Sequence, residues 1–110
     1  MGRSIRAGTA GGGVTVVPAF DPVIHAPHRL QICALLAEVT SMEFAKLREN
    51  IGVSESVLSK QLRTLEDAGH VRIRKSTLNS RVRTSASLTT QGLDAYRAHV
   101  AELRRIVGDD

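Results

Sequence analysis

Tryptophan is absent from this 110-residue chain, and Phe20, Phe44 and Tyr96 are its only aromatic side chains. A domain this small buries a modest fraction of its surface, which leaves room for a second subunit to complete the burial. Cys33 is the single cysteine, which excludes an intrachain disulfide and points to a reducing, cytoplasmic setting. Its neighbours Leu30-Gln31-Ile32 and Ala34-Leu35-Leu36-Ala37 favour a buried small hydrophobe over a redox sensor. No apolar run approaches the roughly 20 residues of a membrane span. The N-terminal segment lacks the apolar centre of a secretory signal. Arg6 stands where a myristoylation motif needs Ser or Thr.

Catalytic constellations are missing too. There is no G-x-S-x-G, the four histidines are scattered, and no paired carboxylates stand at helical spacing in an apolar setting. His25 and His28 are three residues apart, and a capping or packing role is expected for them in preference to a metal site. No enzyme activity, no cofactor and no metal is expected.

The first twenty residues are of low complexity, with Gly8, Gly11, Gly12 and Gly13. No Lys-Ser/Thr follows these glycines and Val14-Thr15-Val16-Val17-Pro18 does not open a helix, so a phosphate-binding loop is excluded. A flexible tail over residues 1–20 is expected, followed by one domain over residues 21–110. Positive charge is concentrated within that domain. Between residues 54 and 90, Lys60, Arg63, Arg72, Arg74, Lys75, Arg81 and Arg83 stand against Glu55, Glu66 and Asp67. That stretch alone carries an excess equal to the net +4 of the whole chain, the footprint expected of a polyanion binder.

At the centre of the basic stretch lies a capped amphipathic helix. Ser54 suits the N-cap, Glu55 suits the positive end of the helix dipole, and Gly69 suits a left-handed stop. Leu58, Leu62 and Leu65 repeat at i, i+4, i+7, which predicts one narrow apolar keel. At about 100° per residue, Ser56, Lys60, Arg63, Thr64 and Asp67 fall on the other side. Small hydroxyls permit close approach to DNA, Gln61 can hydrogen-bond base edges, and Lys60 and Arg63 can meet phosphate or guanine.

The flanking segments extend this pattern. A helix with Pro27 in its opening turn and an apolar run from Leu30 to Val39 is expected to be buried on more than one side. Thr40-Ser41-Met42-Glu43 has capping-box spacing, predicting a short helix to Asn50 that buries Phe44, Leu47 and Ile51. Gly52 then allows the turn of a helix-turn-helix unit. After Gly69, Val71 and Ile73 are expected to point inward and Arg72, Arg74 and Lys75 outward. With Thr77-Leu78-Asn79-Ser80 as a turn, Val82, Thr84, Ala86 and Leu88 form the inward face of a returning strand. The result is a hairpin with Lys75, Arg81 and Arg83 near its tip. Thr89 suits the N-cap of a last helix. There Leu93, Tyr96, Val100, Leu103 and Val107 are spaced as an a/d seam, expected to meet a partner helix in preference to docking on its own domain, and His99 lies outside it.

Together these segments resemble the winged helix-turn-helix transcriptional regulators of the MarR and ArsR type, from about Asp21 to the C-terminus. Val53-Ser54-Glu55-Ser56-Val57-Leu58-Ser59-Lys60-Gln61-Leu62-Arg63-Thr64-Leu65-Glu66-Asp67-Ala68-Gly69-His70-Val71 is similar to the family's V-S-x-S-x-[VL]-S-x-x-L-x-x-L-E-x-A-G-x-V. Leu88-Thr89-Thr90-Gln91-Gly92 is similar to its L-T-x-x-G. The resemblance implies a mainly α (α+β) winged helix-turn-helix with a two-stranded β-hairpin wing and a C-terminal dimerisation helix. It implies a homodimer on double-stranded DNA; pairing is expected through the last helix and the first, and repression is expected because nothing in the chain resembles an activation surface. Segment 54–68 would lie in the major groove and wing 71–88 on flanking backbone. By position, Ser54, Ser56, Val57, Lys60, Gln61 and Thr64 would meet bases or nearby phosphates, Arg63 the backbone, and Lys75, Arg81 and Arg83 would serve the wing. The alternative is a winged helix for protein–protein contact without DNA binding. The helix before the turn, Glu43-Phe44-Ala45-Lys46-Leu47-Arg48, carries no thiol of the ArsR metal-sensor kind.

Overall fold

A computed structural model describes residues 21–108; the expected tail over 1–20 lies outside the described residues. Asp21 caps a single turn, α1 (Pro22–His25), its Oδ1 accepting from the amides of Val23 at 2.9 Å and Ile24 at 3.4 Å. Helix α2 (Pro27–Leu36) follows with proline in its first turn, where a missing N–H costs nothing. It ends three residues earlier than its apolar run implies, and Val39 lies in the exposed turn beyond. The chain must leave the helix there because Met42–Glu43 is extended, forming strand β1.

That strand is also why the capping box fails. Met42 and Glu43 pair antiparallel with Ala86 and Ser85, so Thr40 caps no helix and α3 starts later, at Phe44–Ile51. Leu47 is its buried anchor, with Phe44 and Ile51 packed on the core edge. Gly52 closes α3 at φ 78°, a left-handed conformation that favours glycine. Arg48 donates through Nε to the Val53 carbonyl at 3.2 Å, bracing the turn. Helix α4 (Glu55–Asp67) then begins at the Ser54 cap, whose Oγ accepts from the Val57 amide at 3.2 Å.

Strands β2 (Val71–Leu78) and β3 (Arg81–Leu88) form a hairpin closed by two residues, Asn79 and Ser80, at φ 54° and 63°. Paired positive φ values match the right-handed strand twist. The hairpin is therefore longer and its turn tighter than the four-residue turn expected from the sequence. With β1 added, the sheet has three strands in the order β1-β3-β2. Helix α5 (Thr90–Val107) closes the chain, capped by Thr89, whose Oγ1 accepts from the Gly92 amide at 2.9 Å.

The core is aliphatic, as the shortage of aromatics requires. Ile24, Ile32, Cys33 and Leu36 meet Leu47, the α4 keel Leu58, Leu62 and Leu65, and Val71 and Ala86 of the sheet. Each fully buried leucine contributes about 1.5–3 kcal/mol of transfer free energy, so the keel alone fixes which face of α4 remains outside. Cys33 is fully buried; burial first, and then the negative charge of Asp21, push its thiol up to about 12. It packs as a small hydrophobe, with no thiolate at neutral pH to act as a nucleophile.

His99 lies outside the heptad seam and is buried against the domain. It is 1% exposed and its ring lies 5.4 Å from that of His25. Gly92, Ala95 and His99 share an arc of about 60° on α5, and that arc faces the domain. The heptad seam is centred about 90° further round.

Candidate nucleic-acid interface

Two elements present the cations. On α4 the buried keel leaves Ser56, Lys60 and Arg63 exposed on the outer face. Ser54 sits at its N-terminus, its hydroxyl occupied as cap and 3.3 Å from the Ser56 hydroxyl. Val57 is half-buried on the flank, and Thr64 is turned back, donating from Oγ1 to the Lys60 carbonyl at 3.1 Å. The first four amides of α4 and its dipole add partial positive charge beside Ser54.

Gln61 is placed differently from the outer residues. It lies beside the keel, half-buried, and its Oε1 accepts from the Arg29 guanidinium at 2.7 Å. The same guanidinium donates from Nε to the Val23 carbonyl at 2.6 Å. Arg29 therefore ties α1 and α2 to the reading helix. Because guanidinium only donates, the amide orientation is fixed: Oε1 faces Arg29 and only Nε2 remains for another partner.

On the wing, Arg81 directly follows the hairpin turn and Arg83 lies two residues further along β3, and both are exposed. Lys75 is exposed as well, yet strict alternation puts it on the face of Val71 and Ile73, opposite to the outward side expected. It escapes burial because the hairpin runs past the core, as does Val82 on that face, 69% exposed. Arg83 is not idle: its guanidinium meets the Glu43 carboxylate of β1 at 2.7 Å. Glu43 and Arg29 were not identifiable as site residues from sequence, since their partners lie 40 and 32 positions away.

A third group of contacts joins the end of α4 to the start of α5. The Thr89 amide donates to the His70 carbonyl at 3.0 Å, and its hydroxyl donates to the Gly69 carbonyl at 2.7 Å. Gln91 Nε2 donates to the Ala68 carbonyl at 3.1 Å. Gly69 turns the chain at φ 81°. His70 is buried, and its Nε2 lies 3.1 Å from Asp21 Oδ2. Among the described residues, no group of three or more His, Cys, Asp or Glu is arranged to hold a metal ion, and no helix is long and apolar enough to cross a membrane.

A helix-turn-helix whose second helix shows an exposed cationic face, flanked by a basic β-hairpin, defines a DNA-binding regulator of the winged helix-turn-helix class. Residues 28–107 match the family described as winged helix DNA-binding domain, and the chain belongs to it. An uncharacterized protein of Methanocaldococcus jannaschii is 31% identical over 78 residues, covering 71% of this chain and 85% of that one. The structure of a transcriptional regulator homologue from Pyrococcus horikoshii superposes with a TM-score of 0.75 at 22% identity, covering 79% of this chain and 86% of that chain. The transcriptional repressor BigR from Xylella fastidiosa superposes with a TM-score of 0.59 at 26% identity, covering 77% and 76% respectively. The winged helix assignment is thereby established, and the chain is a transcriptional regulator with a winged helix DNA-binding domain.

Proposed function

We propose that this regulator binds specific double-stranded DNA sequences as a homodimer and represses transcription by occupying them, with no catalytic step of its own. The observation that carries the reading is the division of α4, with three leucines buried on one side and Ser56, Lys60 and Arg63 exposed on the other. Segment 54–68 enters the major groove, where Ser54, Ser56, Val57 and Lys60 approach base edges and Arg63 and Thr64 the adjoining phosphates. Gln61 can offer a base only the N–H groups of its amide. Wing 71–88 lies on flanking backbone, with Lys75, Arg81 and Arg83 as its cations. Repression is supported by the likeness to BigR, itself described as a transcriptional repressor.

Pairing runs through the α5 seam. Leu93, Tyr96, Val100 and Leu103 are only partly covered by their own domain and Val107 is 72% exposed. Leu30 and Leu35 of α2 are partly open too, and the first helix is proposed to add to the pairing. Selection from random duplex DNA followed by fluorescence anisotropy tests the whole reading. A pseudo-palindrome with half-sites about one helical turn apart is expected. Affinity should fall with salt at a log–log slope of about −0.9 per neutralised phosphate. Val100→Glu with Val107→Glu should yield folded monomers that lose the palindrome. Failure of the wild-type protein to bind any duplex at low ionic strength would refute the proposal.

A further inference from the structure

Register across the hairpin arranges the arginines in a way the sequence conceals. Arg72 is opposite Ser87, Arg74 opposite Ser85, Ser76 opposite Arg83, and Leu78 opposite Arg81. Directly opposed residues share a face, and these four pairs lie on the side away from Val71, Ile73 and Ala86. Each successive row on that side thus holds a single arginine, the first two from β2 and the last two from β3. All four arginines are exposed. Rows are two residues apart, about 6.8 Å, so the stripe runs about 20 Å from the base of the wing to its tip. Small serines face three of the four arginines, leaving room for a chain to lie across the ribbon. Glu43, opposite Ser85 on β1, is the carboxylate of this face and sits against Arg83.

We propose that this outer sheet face is a phosphate track, along which one backbone of the DNA flanking each half-site lies for the full length of the wing. The inference rests on the DNA-binding reading above and extends it from the hairpin tip to Arg72 and Arg74 at the base. Complementarity of charge and spacing identifies the occupant. A duplex strand presents a phosphate at about every 3.4 Å of axis, so a 20 Å stripe is matched by about six base pairs of flank. The face is continuous with the tip, so no separate docking event is required.

Arg72→Gln and Arg74→Gln test it, with Arg81→Gln at the tip and Arg97→Gln on α5 as comparisons and thermal melts to confirm folding. Anisotropy titrations over a salt series use two duplexes: one ending at the selected half-sites, the other extended by about eight base pairs at each end. On the extended duplex, Arg72→Gln and Arg74→Gln should each make the salt slope shallower by about 0.9 for every phosphate released per protomer. On the short duplex they should match wild type, and Arg97→Gln should match it on both. Unchanged slopes on the extended duplex, or equal losses on both lengths, would overturn the track while leaving the groove-reading proposal standing. Absence of wild-type binding to either duplex would overturn both.

Discussion

Replacing Gly92 by alanine puts the junction between the reading helix and α5 under direct strain. A Cβ built at Gly92 would lie 2.0 Å from the His70 carbonyl oxygen and 2.8 Å from its carbon. Both are backbone atoms, so no side-chain rotation can relieve the contact. In an exposed helix the change would be favourable by about 1 kcal/mol, because alanine is the better helix former. Here α5 must retreat, at about 1–3 kcal/mol for overpacking. The retreat weakens the bonds from Thr89 to the His70 and Gly69 carbonyls, each worth about 1 kcal/mol net. The unfavourable effects prevail by about 1–4 kcal/mol, and for a domain of this size each kilocalorie lowers Tm by about 4–8 °C. Melting followed by circular dichroism should show a drop of at least about 4 °C. An unchanged or higher Tm would refute the close approach of α5 to the His70 backbone.

Three other perturbations probe separate parts of the molecule. Glu43→Gln releases Arg83 and removes a carboxylate facing the proposed phosphates; DNA affinity should rise roughly two- to fivefold, the range of an exposed ion pair, and weaker binding in anisotropy titrations would contradict it. Ser80→Gly removes a left-handed serine from the hairpin turn and should stabilise the fold by about 0.5–1 kcal/mol in urea titrations; a loss of stability would count against the two-residue turn. His99 is held below its ordinary value of 6.5, first by burial and then by the charge of His25, with Asp21 opposing. Its unfolded form therefore binds protons first as pH falls. Stability should be unaffected by this group above pH 7, decline from about 6.5 down to the lowered folded value, and level off below it; in His99→Leu that part of the decline should disappear from urea melts run across the series.

Local periodicity made α4, the hairpin and α5 readable, because a buried stripe every three or four residues, or on alternate residues, is imposed by each element's own geometry. Leu58, Leu62 and Leu65 are buried as their spacing requires, and the caps at Ser54 and Thr89 are formed. What escaped depends on contacts distant in sequence. Two residues of β1 have no period to detect, and their extended form comes from pairing with Ser85 and Ala86. The seam of α5 was correctly seen as apolar, but its phase relative to the domain is set by docking on α1 and α2, which buries His99 instead. Gln61 was read as an amide free to meet base edges, and the Arg29 that α2 places against it has no sequence signal. Lys75 was put on the wrong face because charge was allowed to outweigh strict alternation.

The L-T-x-x-G segment acquires a physical meaning from these contacts. Thr89 does two things at once: its hydroxyl caps α5 by accepting from the Gly92 amide, and its hydroxyl and amide bond both carbonyls of the Gly69-His70 turn that ends the reading helix. Gly92 is glycine because His70 lies where a Cβ would be. Gln91 adds a bond to Ala68, the C-cap of α4. A hinge between α4 and α5 would need these groups to part together, leaving several polar atoms without partners, so the two helices behave as one rigid bracket. In the proposed dimer, the α5 pair then sets the separation and angle of the two reading helices through this bracket. Thr89→Val keeps the side-chain volume but deletes the cap and the bond to Gly69. It should therefore weaken binding to the palindrome while tolerance for altered half-site spacing increases. Titration of operators with one base pair inserted or removed measures that tolerance, and a variant that discriminates spacing as sharply as wild type would show that the bracket does not set the geometry.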